Sequence, residues 1–259
     1  MAGAPEQNAD RPRYPLLDEL RGLAILFMVI YHGLYLLAYV FKTPSGRMLL
    51  AYARPAQPFI AGTFFLICGI CCRFSRSNGR RGLRLLGVAL LVTLCTWGLT
   101  LFGFDELIRF GVLHFLAAAI LLFALAQKPL AKAPPLPQFL LFALLFLVTA
   151  GPVYGGPAGI GLGRFLLPFP PTDFFPLFLL GFPSDTLVSA DYFPLLPWLF
   201  LFFAGTALGA YGQRGRFPAF FMKSHSRALQ WLGRHSLPIY LAHQPLLFAI
   251  FWILPRIFG

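Results

Sequence analysis

Charge is what this sequence has least of. Of 259 residues only 12% are charged, and 9 acidic side chains stand against 21 basic ones. A soluble domain carries about a quarter charged residues, so the composition excludes an ordinary soluble globular protein. The net charge of +12 does not point to nucleic acid. That reading needs a basic face on a soluble surface, and the basic residues here sit in short loops between apolar runs. No nucleic-acid partner is expected. Cysteine is also scarce: Cys68, Cys71, Cys72 and Cys95 are all there is. Cys68 and Cys71 lack the second ligand pair that a zinc site would need, so no metal is expected and the thiols read as small apolar packing residues. Residues 1–13 are polar and have neither an apolar core nor a small-residue cleavage site beside one. No cleavable signal peptide is expected, and the first helix would act as the insertion signal. No inverted internal repeat is visible, which weakens a transporter reading.

What is present is apolar length. The chain is 58% hydrophobic with a mean hydropathy of +0.72. Its apolar runs approach the thickness of a bilayer core, and only helices or closed barrels cross one. The expected fold is an all-α, polytopic transmembrane bundle of about seven helices, with the lipid bilayer as its partner. The spans are expected near 16–41, 55–72, 82–102, 108–126, 136–150, 193–211 and 232–258. Residues 1–13 form a polar tail and 14–259 a single domain. A segment rich in Gly, Pro and Phe separates the fifth and sixth spans; its piece 173–182 is too short and proline-broken to cross. An N-terminus in the cytoplasm would gather Arg11, Arg13, Arg73, Arg76, Arg80, Arg81, Arg84, Lys128, Lys132, Arg214, Arg216, Lys223, Arg227 and Arg234 on that side. The opposite side would hold fewer cations, together with Asp105, Glu106, Asp173, Asp185 and Asp191. Short loops are where the positive-inside rule is most reliable, so the N-terminus is expected inside and the C-terminus outside.

The first apolar run, DELRGLAILFMVIYHGLYLLAY, carries the sharpest signal. Eleven helical steps from Arg21 to His32 turn about 1100°, close to three full turns, so the two side chains share a face about 16 Å apart. Arg21 would lie near the cytoplasmic surface and His32 deeper, toward the far side. An ionisable group inside a membrane is a functional candidate by default. The bland alternative is a neutral histidine hydrogen-bonded to a neighbouring helix.

Four later stretches add to it. In SRSNGRRGLRLLG, Arg81 and Arg84 are three residues apart on one helix face, with Arg80 adjacent. Guanidinium groups at a helix N-terminus bind phosphate through paired hydrogen bonds and the helix dipole; topology signalling or anionic-lipid contact would use the same residues. IRFGVLHFL places Arg109 and His114 at the outer start of the fourth span, where His114 is either a second polar group at a cavity or a packed histidine. DYFPLLPW offers Asp191 and the prolines as caps of the sixth helix and Trp198 as an interfacial belt residue, or an acidic, aromatic rim that receives a sugar or amine. In GRHSLPIYLAHQPL, His243 and Gln244 lie within the last span between Pro238 and Pro245, where proline leaves carbonyls in need of partners.

Taken together these stretches resemble known membrane acyltransferases. The opening helix, with arginine, ten residues and histidine, is similar to the first helix of the acyltransferase family 3 clan, and Arg81 with Arg84 is similar to that clan's RxxR element. The ordered set IRFGVLHFL, GFPSDTLVSADYFPLLPW and GRHSLPIYLAHQP resembles bacterial members of the heparan-alpha-glucosaminide N-acetyltransferase catalytic-domain family, from about Arg13 to Phe251. The resemblance implies an enzyme of a cytoplasmic membrane that moves an acetyl group from cytosolic acetyl-CoA to an acceptor on the far side. It implies His32 as the catalytic residue, and Arg21, Arg80, Arg81 and Arg84 toward acetyl-CoA. Arg109, His114, Asp191, Trp198 and His243 are the acceptor-side candidates. Acetyl-CoA would be a co-substrate and no cofactor would be bound permanently. The chain is shorter than the eukaryotic enzymes of that name, and its acidic outer rim disfavours a polyanionic acceptor. The acceptor is left as a sugar, amine or lipid headgroup, and the oligomeric state is left open. The rival readings are a small transporter or lipid-handling protein, and a structural membrane subunit.

Overall fold

The computed structural model describes residues 14–103, 106–151, 159–160, 167–168, 175–182, 187 and 189–258. The expected Arg11, Arg13, Asp105, Asp173 and Asp185 lie outside them. The fold is an all-α helical membrane bundle. Among the described residues, five helical stretches are long and apolar enough to cross a membrane: Pro15–Val40, Pro44–Cys72, Asn78–Thr100, Val112–Lys132 and Ser236–Ile253. Two further apolar helices are shorter, Pro135–Thr149 at 15 residues and Trp198–Gln213 at 16. Sheet structure among the described residues is a two-residue antiparallel ladder, Gly159–Ile160 on Leu167–Pro168, and an isolated bridge from Phe110 to Tyr192.

The chain packs as two compact units, residues 1–67 with 216–259, and residues 68–215. In the first, helix α1 (Pro15–Tyr35) starts on Pro15, whose missing N–H costs nothing at a first helical position, and carries Asp18 in its first turn. A π-helical turn, Leu36–Val40, prolongs it. Thr43 then caps α2 (Pro44–Ala53): its hydroxyl accepts from Gly46 N at 3.1 Å and donates to the Leu37 carbonyl at 2.9 Å. A tight turn, Arg54–Ala56, leads into α3 (Gln57–Cys72). The second span was expected to begin at Pro55. Helix begins eleven residues earlier at Pro44, because Pro55 falls in the tight turn joining α2 to α3, where its missing amide ends nothing.

The expected last span is two helices. α8 (Arg227–Arg234) is capped by Ser226, whose hydroxyl accepts from Leu229 N at 3.3 Å. α9 (Ser236–Phe258) follows after His235. Two glycines set the approach of α8 to α1. A Cβ on Gly22 would sit 2.0 Å from the Leu229 carbonyl oxygen, and one on Gly233 would sit 1.9 Å from the Asp18 carbonyl oxygen. No side chain fits at either point, so the two backbones touch.

The second unit holds α4 (Asn78–Thr100), α5 (Val112–Lys132), α6 (Pro135–Thr149) and α7 (Trp198–Gln213). Packing of α4 on α5 is close at Gly82, where an added Cβ would meet Leu121 at 2.7 Å. The core is made of Phe115, Ile120, Phe123, Phe202 and Thr206, all almost fully buried. Residues 175–180 form a short 3-10 turn, Phe175–Leu180, too short to cross a bilayer; 173 and 174 lie outside the described residues.

Candidate functional site

His32 lies eighteen residues into α1, and α9 brings its partners. The Gln244 side-chain nitrogen is 2.5 Å from His32 Nδ1. The His243 ring packs edge-on against the His32 ring, with centroids 4.9 Å apart. Phe251 of α9 closes on Gly33, and its ring stacks edge-on with Phe41 at 6.0 Å. A stretch of α1 and a stretch of α9 thus hold two imidazoles and one amide together in an otherwise aromatic and aliphatic setting.

The hydrogen bonds of this cluster fix which nitrogen does what. His243 Nδ1 is 2.6 Å from the Tyr240 carbonyl. A carbonyl can only accept, so Nδ1 carries the proton and donates. In the neutral ring the lone pair then sits on Nε2. That atom is buried and meets no hydrogen-bond partner, and the residue is only 6% exposed. The expected role of His243, satisfying a carbonyl near Pro245, accounts for Nδ1 and leaves Nε2 unexplained. An unpaired buried acceptor costs about 1–3 kcal/mol, so Nε2 calls for an explanation that the carbonyl contact does not give.

Arg21 lies at the other end of α1. Its guanidinium donates to Asp18 at 2.9 Å and to the Gly233 carbonyl at 3.4 Å. Asp18 also faces Arg234 Nε at 3.6 Å. Arg21 therefore links α1 to α8, and two of its donors are spent on the protein. Glu19, which was not among the expected residues, is 4% exposed and receives four donors. They are His225 N at 2.7 Å, Ser226 N at 3.1 Å, Gln230 Nε2 at 2.9 Å and His225 Nδ1 at 3.2 Å. No sequence signal could have found this clamp, because its partners lie about two hundred positions away.

The second unit carries the basic cluster. α4 starts at Asn78, four residues before the expected Gly82, so Arg80, Arg81 and Arg84 all lie in its first two turns. Arg80 and Arg84 are exposed; Arg81 is half-buried and turns Nη1 toward Cys72 Sγ at 3.9 Å. Three cations at the positive end of a helix dipole favour an anion there. Arg73 stands just beyond α3. Its Nε donates to the Thr206 carbonyl at 3.0 Å and its guanidinium lies over the Phe123 ring at 5.1 Å, so it serves packing.

The acceptor-side candidates are also in this unit, and most are engaged in building it. Thr93 Oγ1 donates its one proton to the Ile108 carbonyl at 2.8 Å, so it accepts from His114 Nε2 at 3.0 Å. His114 Nδ1 accepts from Gly111 N at 3.3 Å. Both nitrogens of His114 are thus used, which agrees with the packed-histidine alternative. Asp191 Oδ2 accepts from Val112 N at 3.0 Å. It caps α5, and not the sixth span whose entry it precedes, because the chain folds back on residues 107–112 before α7 begins. Gly111 leaves room for that carboxylate: a Cβ there would sit 2.3 Å from Oδ2. Trp198 is 5% exposed and packs on Phe146 and Phe193 at 5.8 and 5.7 Å, inside the unit. Arg109 is exposed, and its backbone N–H donates to Ser189 Oγ at 3.2 Å. Tyr192 donates to the Phe178 carbonyl at 2.6 Å, and burial pushes its phenol up to about 12, so it does not titrate near neutral pH. Among the described residues no group of three or more His, Cys, Asp or Glu is placed to hold a metal.

Comparison with known proteins adds one finding. A family model described as "Heparan-alpha-glucosaminide N-acetyltransferase, catalytic" matches residues 13–245. No curated protein and no solved structure matches the chain. The matched region takes in His32, His243 and Gln244 together with the whole basic cluster.

Proposed function

Because the chain belongs to the heparan-alpha-glucosaminide N-acetyltransferase catalytic family, we propose that it is a membrane-bound acyltransferase using cytosolic acetyl-CoA. Its acceptor would be a sugar, amine or lipid headgroup on the exoplasmic side of a bacterial cytoplasmic membrane. One observation carries this reading: within a family of transferases, a membrane-spanning helix presents His32 against a second imidazole and an amide. Such a cluster can move a proton away from water, which group transfer to an amine or hydroxyl needs. An acetylated imidazole is the other route open to His32. Arg80, Arg81 and Arg84 supply the donors that the phosphates of CoA call for. Arg21, tied to Asp18 and α8, would act by holding α8 and not by touching the phosphates.

The test is binding first, chemistry second. Acetyl-CoA at a hundred times its dissociation constant should stabilise the purified protein by about 2.7 kcal/mol, read as a rise in Tm. Arg81→Ala with Arg84→Ala should abolish the rise without lowering Tm in the ligand-free protein. His32→Ala should keep the rise and lose at least about 100-fold in transfer rate. A protein that gives no shift with acetyl-CoA, or a His32→Ala variant with full transfer activity, ends this reading.

A further inference from the structure

His243 is the buried group that the reading above leaves without a task. Its Nδ1 proton is committed to the Tyr240 carbonyl, and its Nε2 lone pair is buried with no partner. His32 is in the complementary state. The Gln244 amide nitrogen can only donate, so His32 Nδ1 accepts from it and the ring proton is on Nε2. The two rings, 4.9 Å apart by centroid, therefore differ at Nε2, which carries a bare lone pair on His243 and a proton on His32. Thioester aminolysis needs that combination: an acceptor for the proton of the attacking group and a donor for the developing oxyanion.

Resting on the acyltransferase reading, we infer that His243 is the general base of the transfer and that His32 is the oxyanion donor, its tautomer set by Gln244. His243 Nε2 takes the proton of the acceptor's amine or hydroxyl as the new N–C or O–C bond forms at the thioester carbon. The carbonyl oxygen, now an oxyanion, accepts from His32 Nε2–H. Collapse of the tetrahedral species breaks the C–S bond, and protonated His243 returns its proton to the departing thiolate, giving free CoA. The Tyr240 carbonyl holds His243 in the one tautomer that can do this. Gln244 is a positioning residue that acts through His32.

The experiment has two arms on the purified full-length protein. The first needs no acceptor. Nitrogen-15 NMR of histidine-labelled protein, assigned with His32→Ala and His243→Ala, should give His243 a protonated Nδ1 and a bare Nε2. His32 should give the reverse, a bare Nδ1 and a protonated Nε2. Matching tautomers in the two rings would overturn the division of labour.

The second arm measures acetyl-CoA turnover with glucosamine and, without it, with water, beside acetyl-CoA binding. Glutamine supplies an N–H donor but cannot take a proton. His32→Gln should therefore keep at least ten times the kcat of His32→Ala. His243→Gln should be as slow as His243→Ala, about 100- to 10,000-fold below wild type, and should lose the acid limb of the pH profile. All four variants should bind acetyl-CoA as wild type does. If His32→Gln is as inactive as His32→Ala while His243→Gln keeps the acid limb, His32 is the base and the inference falls alone. If wild type neither binds acetyl-CoA nor turns it over, the acyltransferase reading falls and takes the inference with it.

Discussion

Single residues here divide into those spent on the fold and those left with capacity. Glu19 is the clearest of the first kind. A carboxylate near the end of an apolar helix reads as a liability, yet its oxygens satisfy two backbone N–H groups and two side chains from residues 225–230. Removing it would strand both backbone donors in a site that is 4% exposed. Glu19→Ala should cost about 2–4 kcal/mol on the scale of one to two unsatisfied buried donors. Glu19→Gln keeps one acceptor oxygen and should cost less than half as much. Thermal unfolding of both variants in detergent checks the order; equal losses would mean that negative charge, not hydrogen bonding, holds the clamp. His114 and Asp191 belong with Glu19, since each is engaged in capping or bracing α5. His243 is of the other kind, with one nitrogen spent and one kept.

Helices reveal what the sequence could and could not tell. The extent of the first was legible, because an apolar run of bilayer length and a histidine eleven steps from an arginine need only helical geometry to interpret, whereas its π-helical turn at Leu36–Val40 was not. The break at His235 was not. The polar run Arg234-His235-Ser236 is short enough to read as the edge of one span, and α8 is set apart by its contacts with α1, which no local pattern records. Those contacts are Gly22 against Leu229 and Gly233 against Asp18, backbone to backbone. Gln244 was readable as a polar residue in a span, but its pairing with His32 required the packing of α9 on α1. At the element scale the prediction follows from the glycines. Gly233→Ala puts a methyl 1.9 Å from a carbonyl oxygen, so α8 must shift away from α1. Overpacking of this kind costs about 1–3 kcal/mol. Gly79→Ala, with nothing within 4 Å, is the control that should leave Tm unchanged or slightly raised. Equal Tm values for the two variants would show that α8 yields freely.

For the molecule as a whole, the open question is how many times the chain crosses. α6 and α7 are about 23 Å long at the helical rise, short of a 30 Å hydrocarbon core, and a pair of short helices could dip in and return to the same side. The backbone of the second unit argues against that. Ala190 N donates to the Leu107 carbonyl at 2.9 Å, Phe193 N donates to the Phe110 carbonyl at 3.0 Å, and Asp191 caps α5. The segment leading into α7 is thus joined to the start of α5, while α6 begins next to the end of α5 at Lys132. The chain thus starts α6 beside one end of α5 and is back at the other end before α7 begins, the path expected if α6 crosses and α7 returns. Seven crossings would place the termini on opposite sides, and the loop charges would then put the N-terminus inside by the positive-inside rule. Single cysteines in a background lacking Cys68, Cys71, Cys72 and Cys95 give the measurement. With a membrane-impermeant maleimide on intact cells, Ala190→Cys should label, whereas Ala131→Cys at the end of α5 should label only after permeabilisation. Protection of Ala190→Cys together with labelling of Ala131→Cys would reverse the orientation. Equal protection of both would make α6 and α7 a re-entrant pair, leave five crossings, and detach the residue 189–193 segment from the side where an exoplasmic acceptor would have to arrive.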